Sequence, residues 1–213
     1  MNRSNVKYLL AVESAVGGGS IALFAIGQQI EGVVGPAGVS RAEDLLPNIE
    51  LLLSRNNIDK LDLSHIAVSA GPGSFTGIRI GIATVMGLAA ALNVDLRQYS
   101  MLEAIAVSTQ IMGTFTVVLP VGRDTVCAQT FERTDSGLAN CDEPHPLTPE
   151  EFHSVLQAGK TAVVNSSLFE QLPDELRSGV TNVGDDLAAI LGNVALTYNL
   201  DETPEPLFVG KRK

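Results

Sequence analysis

The chain is poor in several things at once, and each shortage closes off a class of function. It has no tryptophan, and its only cysteines are Cys127 and Cys141. Two cysteines make no disulfide framework, and Met1–Asn5 lacks the profile of a signal peptide, so a reducing cytoplasm is expected. Lysine and arginine number 14 against 24 acidic residues, a net charge of −10. A broad nucleic-acid surface would be basic, so any contact with nucleic acid is expected to run through a partner. The three histidines, His65, His145 and His153, form no His-Glu-x-x-His pair, and no metal site is expected. No apolar segment reaches the roughly 20 residues of a membrane span. What is there is a globular composition, 45% hydrophobic, without low-complexity tracts.

The most informative segment is Ala70-Gly71-Pro72-Gly73-Ser74-Phe75-Thr76-Gly77-Ile78-Arg79-Ile80-Gly81. An apolar run, Ile66–Val68, precedes it and a helical pattern to Leu92 follows, so it reads as strand, glycine loop, helix. Such a loop has the geometry of an anion site. The phosphate-loop pattern, however, needs Lys and Ser/Thr after its last glycine, and Ile78 and Arg79 stand there. A structural role is therefore assigned to Gly71, Pro72, Gly73, Ser74, Thr76 and Arg79. Pro72 presets φ, Gly73 is the candidate for a positive φ, and Ser74 or Thr76 caps the helix. Arg79 has two readings of equal weight: a rim arginine whose stem lies on apolar surface, or a salt bridge or carbonyl contact that orders the loop or crosses to a partner. From Ile78 to Leu92 only Arg79 and Thr84 are polar, and a helix apolar all round must be covered on all sides.

The rest of the chain alternates strands and helices. Tyr8–Val12, Ser20–Ile26 and Gln29–Val34 read as an antiparallel meander with a turn at Gly17-Gly18-Gly19. Ser40-Arg41-Ala42-Glu43 is a capping-box pattern opening a helix Arg41–Arg55, which Pro47 should kink. Further strands are expected at His65–Ser69, Val94–Tyr99, Thr114–Leu119, Thr125–Arg133 and Thr161–Asn165. Further helices are expected from Ser100 to about Gln110, from Thr148-Pro149, and over Asp185–Leu196, with Asn93 ending the apolar helix. The hairpin-then-helix pattern occurs twice, which divides the chain into halves at 1–112 and 113–213.

Leu10-Ala11-Val12-Glu13-Ser14, Leu45-Leu46-Pro47 and the segment Gly71–Gly81 together resemble the TsaB family, also called YeaZ. The resemblance covers the first half well and the second thinly. It implies an α/β fold of two actin-like (ASKHA, ribonuclease H-like) lobes, each a mixed sheet with helices. It implies a non-catalytic, cytoplasmic subunit with no cofactor beyond weak ATP or ADP binding. Its partners would be a TsaD-like catalytic subunit that transfers threonylcarbamoyl to a tRNA adenosine, a TsaE-like ATPase, and itself as a homodimer. tRNA would be met only through the complex. Pairing would use the helices Arg41–Arg55 and Thr76–Leu92, through Leu45, Ile49, Gly77, Ile80, Gly81, Thr84, Leu88 and Ala91. Substituting Gly81 or Thr84 by a large charged residue should then dissociate the assembly and leave the lobe folded. The chain departs from the family pattern at Glu13 (usually Asp), at Arg41 (often His), at Val121–Ala128, where Arg123 is retained, and at the ending Pro206–Val209.

The rival functions are an ATP-binding ASKHA enzyme and a glycoprotease-like peptidase. The first needs phosphate-contacting acids in both lobes. Glu13 reads as a solvated carboxylate at a strand end, and no acid of the second lobe stands out. The second needs a metal or a nucleophile with its base, and Ser74 and Thr76 have none placed beside them. Cys127 and Cys141 are expected simply to pack or face solvent.

Overall fold

Residues 7–25, 28–36, 44–122 and 124–197 are described by the computed structural model. β1 (Tyr8–Glu13), β2 (Ser20–Ala25) and β3 (Gln28–Val34) form the expected meander. They are followed by α1 (Leu45–Arg55), β4 (Leu63–Ser69), α2 (Phe75–Leu92), β5 (Asp95–Tyr99) and α3 (Met101–Ser108). β4 lies parallel to β1 and β5 parallel to β4, giving the order β3-β2-β1-β4-β5. The second sheet is built from β6 (Gly113–Pro120), β7 (Val126–Thr134), β8 (Gly137–Asn140), β9 (His145–Leu147), β10 (Ala162–Val164) and β11 (Val180–Asn182). Its order is β11-β10-β6-β7-β8, with β9 paired to β7. α4 (Pro149–Gln157), α5 (Ser166–Phe169) and α6 (Leu187–Thr197) complete the described chain. The result is the expected α/β arrangement of two mixed sheets flanked by helices.

Side chains alternate across a strand, so β1 serves two cores. Leu10 and Val12 pack under α1 and α2 with Leu45, Ile49, Leu52, Leu53, Val85 and Ala89. Leu9 and Ala11 face the other way into a cluster that runs between the sheets, through Met101, Leu102, Ile105, Phe115, Phe131, Leu187 and Leu191. A third cluster, with Phe152, Leu156 and Leu168, covers the outer face of the second sheet. The shared middle cluster ties the lobes together.

Several expectations are corrected. α6, placed by the sequence division with residues 113–213, packs on the first sheet. Its Gly192 lies where a Cβ would run into the Phe24 ring, and its Ala188 N–H donates to Ser20 Oγ at 2.9 Å. Pro47 sits in the first turn of α1, where no ladder hydrogen bond is lost and no kink is called for. The Ser40–Glu43 pattern, with Arg41, lies outside the described residues, as do Arg123 and the segment from 198 onward. Asn93 caps α2 as expected, at φ 54°. Thr148 and Glu151 make a full capping box on α4, with Pro149 at the first position. At 18 residues and a mean hydropathy of 1.7, α2 reaches the lower bound for a membrane span, which the sequence reading had put beyond it. Its Ile78, Val85 and Ala89 are buried, Val85 and Ala89 in the cluster on the first sheet.

Candidate functional site

The loop after β4 is held from three sides. The Ala70 N–H donates to the Tyr99 carbonyl at 2.8 Å, and the Met101 N–H donates to the Gly71 carbonyl at 2.8 Å. The Ser74 N–H donates to the Ala15 carbonyl at 2.7 Å, and Ser14 Oγ donates to the Gly77 carbonyl at 2.9 Å. The turn Ser14–Val16 therefore clasps the loop and the first turn of α2. The positive φ expected at Gly73 belongs to Gly71, at 103°. Gly73 is needed for space instead: a Cβ there would lie 2.6 Å from the Ala15 carbonyl oxygen. Gly77 and Gly81 answer to the same surface, since a Cβ on either would meet Ser14. Ser74 Oγ accepts from the Gly77 N–H at 3.3 Å, so Ser74 is the cap and Thr76 is not. Ser74→Ala should cost about 1 kcal/mol in urea unfolding and leave the fold intact, because it removes a cap and no packing.

This geometry redraws the expected partner face. Gly77 and Gly81 are buried against their own lobe, and Leu45 and Ile49 are core residues. They have no surface to offer, so a charged residue at Gly81 would attack the lobe itself. Ile80, Thr84 and Leu88 are half-buried and Ala91 is exposed. What faces outward on α2 is Phe75 (50% exposed), Ala83, Met86 (53%), Gly87 and Ala90, the complement of the inward Ile78-Gly81-Val85-Ala89 row. On α1 the exposed apolar side chains are Leu46 (45%) and Leu51 (54%). The Arg79 guanidinium lies 3.6 Å from the centroid of the Phe75 ring, a cation–π stack that covers one side of an exposed aromatic.

A cleft of about 640 Å³ opens between the lobes, from Ala15, Gly17, Ser74 and Thr76 on one side to Val121, Gly122, Thr125, Phe152, His153 and Gln171 on the other. Its described lining holds no lysine, arginine, aspartate or glutamate. A smaller hollow of about 70 Å³ adjoins it at Gly17–Gly19 and is closed by Ser167 and Asp185. Asp185 is the second-lobe acid the sequence reading missed. It follows β11, a three-residue strand with no periodic signal, and its Oδ1 accepts from Asn165 Nδ2 at 2.6 Å and from the Ser167 N–H at 3.2 Å. Among the described residues no cluster of His, Cys, Asp and Glu could hold a metal ion. Cys127 is buried, which pushes its thiol up to about 12, and Cys141 is exposed.

Glu13 is not the solvated strand-end carboxylate that was expected. It is 1% exposed, and its Oε1 accepts from the Ala15 N–H at 2.7 Å and the Val16 N–H at 3.0 Å. The side chain curls back onto the turn that follows its strand, which buries it. Burial raises its pKa from 4.5 to about 7, against the opposing pull of the turn's amides.

Comparison with known proteins places this geometry. Residues 23–146, which carry α1, the glycine loop and α2, match the family model described as TsaD: tRNA N6-adenosine threonylcarbamoyltransferase. The chain is similar to the tRNA threonylcarbamoyladenosine biosynthesis protein TsaB of Bacillus subtilis, 39% identical over 61 residues, covering 29% of this chain and 27% of that protein. It is 29% identical over 117 residues to TsaB of Escherichia coli, covering 53% of this chain and 51% of that one. The matches thus span a quarter to a half of the length of these relatives. The structure of YeaZ from Pseudomonas aeruginosa superposes with a TM-score of 0.63 at 23% identity, over 89% of this chain and 92% of that chain, a likeness of fold. By the family-model match over more than half its length, the chain belongs to the threonylcarbamoyltransferase family of the TsaD model.

Proposed function

We propose that this chain is a non-catalytic, TsaB-like subunit that supports a TsaD-like transferase in tRNA threonylcarbamoyladenosine biosynthesis, docking through the outer face of α1 and α2. The observation that carries the reading is the apolar row Phe75, Ala83, Met86, Gly87 and Ala90, left exposed on a helix whose position is fixed by the clasp. A standard interface buries about 1,600 Å². At about 25 cal/mol per Å² of apolar area, covering this row supplies a usable driving force. A TsaE-like ATPase and tRNA join through the assembled complex, and in the absence of the transferase the same face pairs two copies of the chain.

Met86→Glu tests this directly. Met86 is exposed, so folding should change by no more than about 0.5 kcal/mol. Affinity for a TsaD-like partner, read by sedimentation or calorimetry, should fall about a hundredfold, close to 3 kcal/mol. Unchanged affinity would reject the face.

The chain's part in the complex is presentation rather than turnover. What supports this is the glycine loop itself, where Ile78 and Arg79 stand in place of the Lys and Ser/Thr of a phosphate loop. Titration with ATP and magnesium should show binding weaker than about 100 µM, and a dissociation constant near 1 µM would instead favour an ATP-dependent enzyme.

A further inference from the structure

α6 packs beside Leu9 and Phe24 on the first sheet and ends at Thr197. At that end a hollow of about 480 Å³ opens across the first residues of β1 and β4 and onto β5. Strand pairing sets its floor. Leu9 is in register with His65, Ala67 with Arg97, and Tyr99 stands two residues further along β5. Alternation along the strands puts these five residues on one face, the face that α6 packs on. β4 and β5 are parallel, and parallel strands are ordinarily covered on both faces. Here the described chain leaves part of one face open.

The hollow has a definite chemistry. Lys7, His65 and Arg97 bring basic nitrogens to it, and its described lining includes no aspartate or glutamate. His65 Nε2 also lies 3.6 Å from the exposed Asp95 carboxylate, and Arg97 hydrogen-bonds the Tyr99 side chain. Beside the basic groups is apolar surface, with Leu9 in the floor and Leu196, 40% exposed, on the wall that α6 provides. The occupant that fits is an acidic peptide with apolar side chains close to its acids.

The chain carries such a peptide, attached at the rim. Thr197 lines the hollow, and the sequence continues from it to Asp201-Glu202-Thr203-Pro204-Glu205-Pro206-Leu207-Phe208-Val209. Its acids come first and its apolar residues follow. Pro204 and Pro206 bias the residues before them to extended backbone. From β1 across β4 to β5 is about 10 Å, and an extended chain advances about 3.3 Å per residue, so the segment is long enough to cross the hollow. A short tether also holds it there at millimolar effective concentration, ahead of any free acidic peptide. We propose that this hollow is the docking site of the chain's own segment 201–208. Asp201, Glu202 and Glu205 meet Lys7, His65 and Arg97, while Leu207 and Phe208 pack on Leu196 and the apolar floor. The segment then covers the open stretch of β4 and β5 and straps the end of α6 to the sheet. None of these residues lies on α1 or α2, so the strap stands whether or not their outer face docks a transferase.

The test is limited chymotrypsin digestion of the full native chain, with cleavage of the Phe208–Val209 bond followed by mass spectrometry. Lys7→Glu with Arg97→Glu should speed this cleavage about tenfold, because cleavage tracks the population of released segment. Asp201→Lys with Glu202→Lys, which alter no described contact, should do the same. Combining the two pairs exchanges the charges and should return the rate to within about twofold of the wild type, a recovery that a merely unfolded variant would not show. Unchanged cleavage in both pairs, or no recovery in the combination, overturns the strap and leaves the hollow to an external ligand. The wild-type rate should not depend on protein concentration from about 5 to 500 µM, and protection that grows with concentration overturns the proposal in favour of a second copy's segment. Should the Lys7 and Arg97 pair not fold, nuclear Overhauser contacts between the Phe208 ring and the Leu196 methyls of the wild type decide. Their presence upholds the strap and their absence overturns it.

Discussion

Gly77→Val is expected to cost the chain about 3 kcal/mol or more of unfolding free energy, among the largest effects available at a single solvent-remote position. The added Cβ would meet the Ser14 carbonyl oxygen and come within 2.9 Å of Ala15 Cα. Both are backbone atoms of the turn that follows β1, so no side chain can swing away. The helix must lift, and lifting breaks the Ser14 Oγ bond to the Gly77 carbonyl and the Ser74 N–H bond to Ala15. Gly87→Ala is the matched control. Gly87 is exposed in the interior of the same helix, with nothing within 4 Å of its Cβ position. There the substitution should stabilise by about 0.5–1 kcal/mol through helix propensity alone. Urea unfolding of both variants reads the contrast, and two small changes of the same sign would mean the clasp is not a close contact.

Glu13→Gln should raise stability above that of the wild type near pH 8 and leave it nearly unchanged near pH 4. The folded state raises the carboxyl pKa from 4.5 to about 7, so the folded chain holds this proton more tightly than the unfolded one. The contribution of Glu13 is therefore fully present below about pH 4.5 and is lost as pH rises toward 7. A displacement of that size corresponds to about 3 kcal/mol, an upper figure, because the glutamine amide must also find an acceptor beside Ser20 and Asn48. All other carboxylates are common to both chains, so the difference between their urea midpoints isolates this one. A difference that stays flat across the window would place the Glu13 pKa near its ordinary value.

How much was legible in the sequence depends on whether a residue's role is set by its neighbours in the chain or by something far away. Strands β1, β4 and β6, the caps Ser74, Asn93 and Thr148, and the strand–loop–helix around Gly71–Gly81 are local patterns, and the structure has them. The short strands β8, β9 and β11 and the four-residue α5 carry too few positions to show a period. The direction in which a face points is not local either. α1 has leucine or isoleucine at 45, 46, 49, 51, 52 and 53, apolar on nearly every side, so nothing in its own pattern tells the buried Leu45 and Ile49 from the exposed Leu46 and Leu51. Gly77 and Gly81 are equally ambiguous, because a small residue permits close approach to a partner helix or to the chain's own backbone. Here it is Ser14, more than 60 positions earlier, that decides. Glu13 combines the two: its hydrogen-bond partners, the amides of Ala15 and Val16, are local, but Leu45 and Asn48 of α1, which close over it, are not.

The return of α6 to the first sheet has a consequence for how the molecule is made. While a nascent chain has delivered only its first 112 residues, Leu9, Ala11 and Phe24 lack one wall of their core, because Leu187, Leu191 and Val194 have not yet been synthesised. The sheet laid down first is closed last. Residues 20 and 188, joined in the finished protein, are separated by 168 positions of chain, so closing that contact carries a late entropic cost. Until α6 arrives, the first sheet therefore keeps an open apolar flank on the side of Leu9, Ala11 and Phe24.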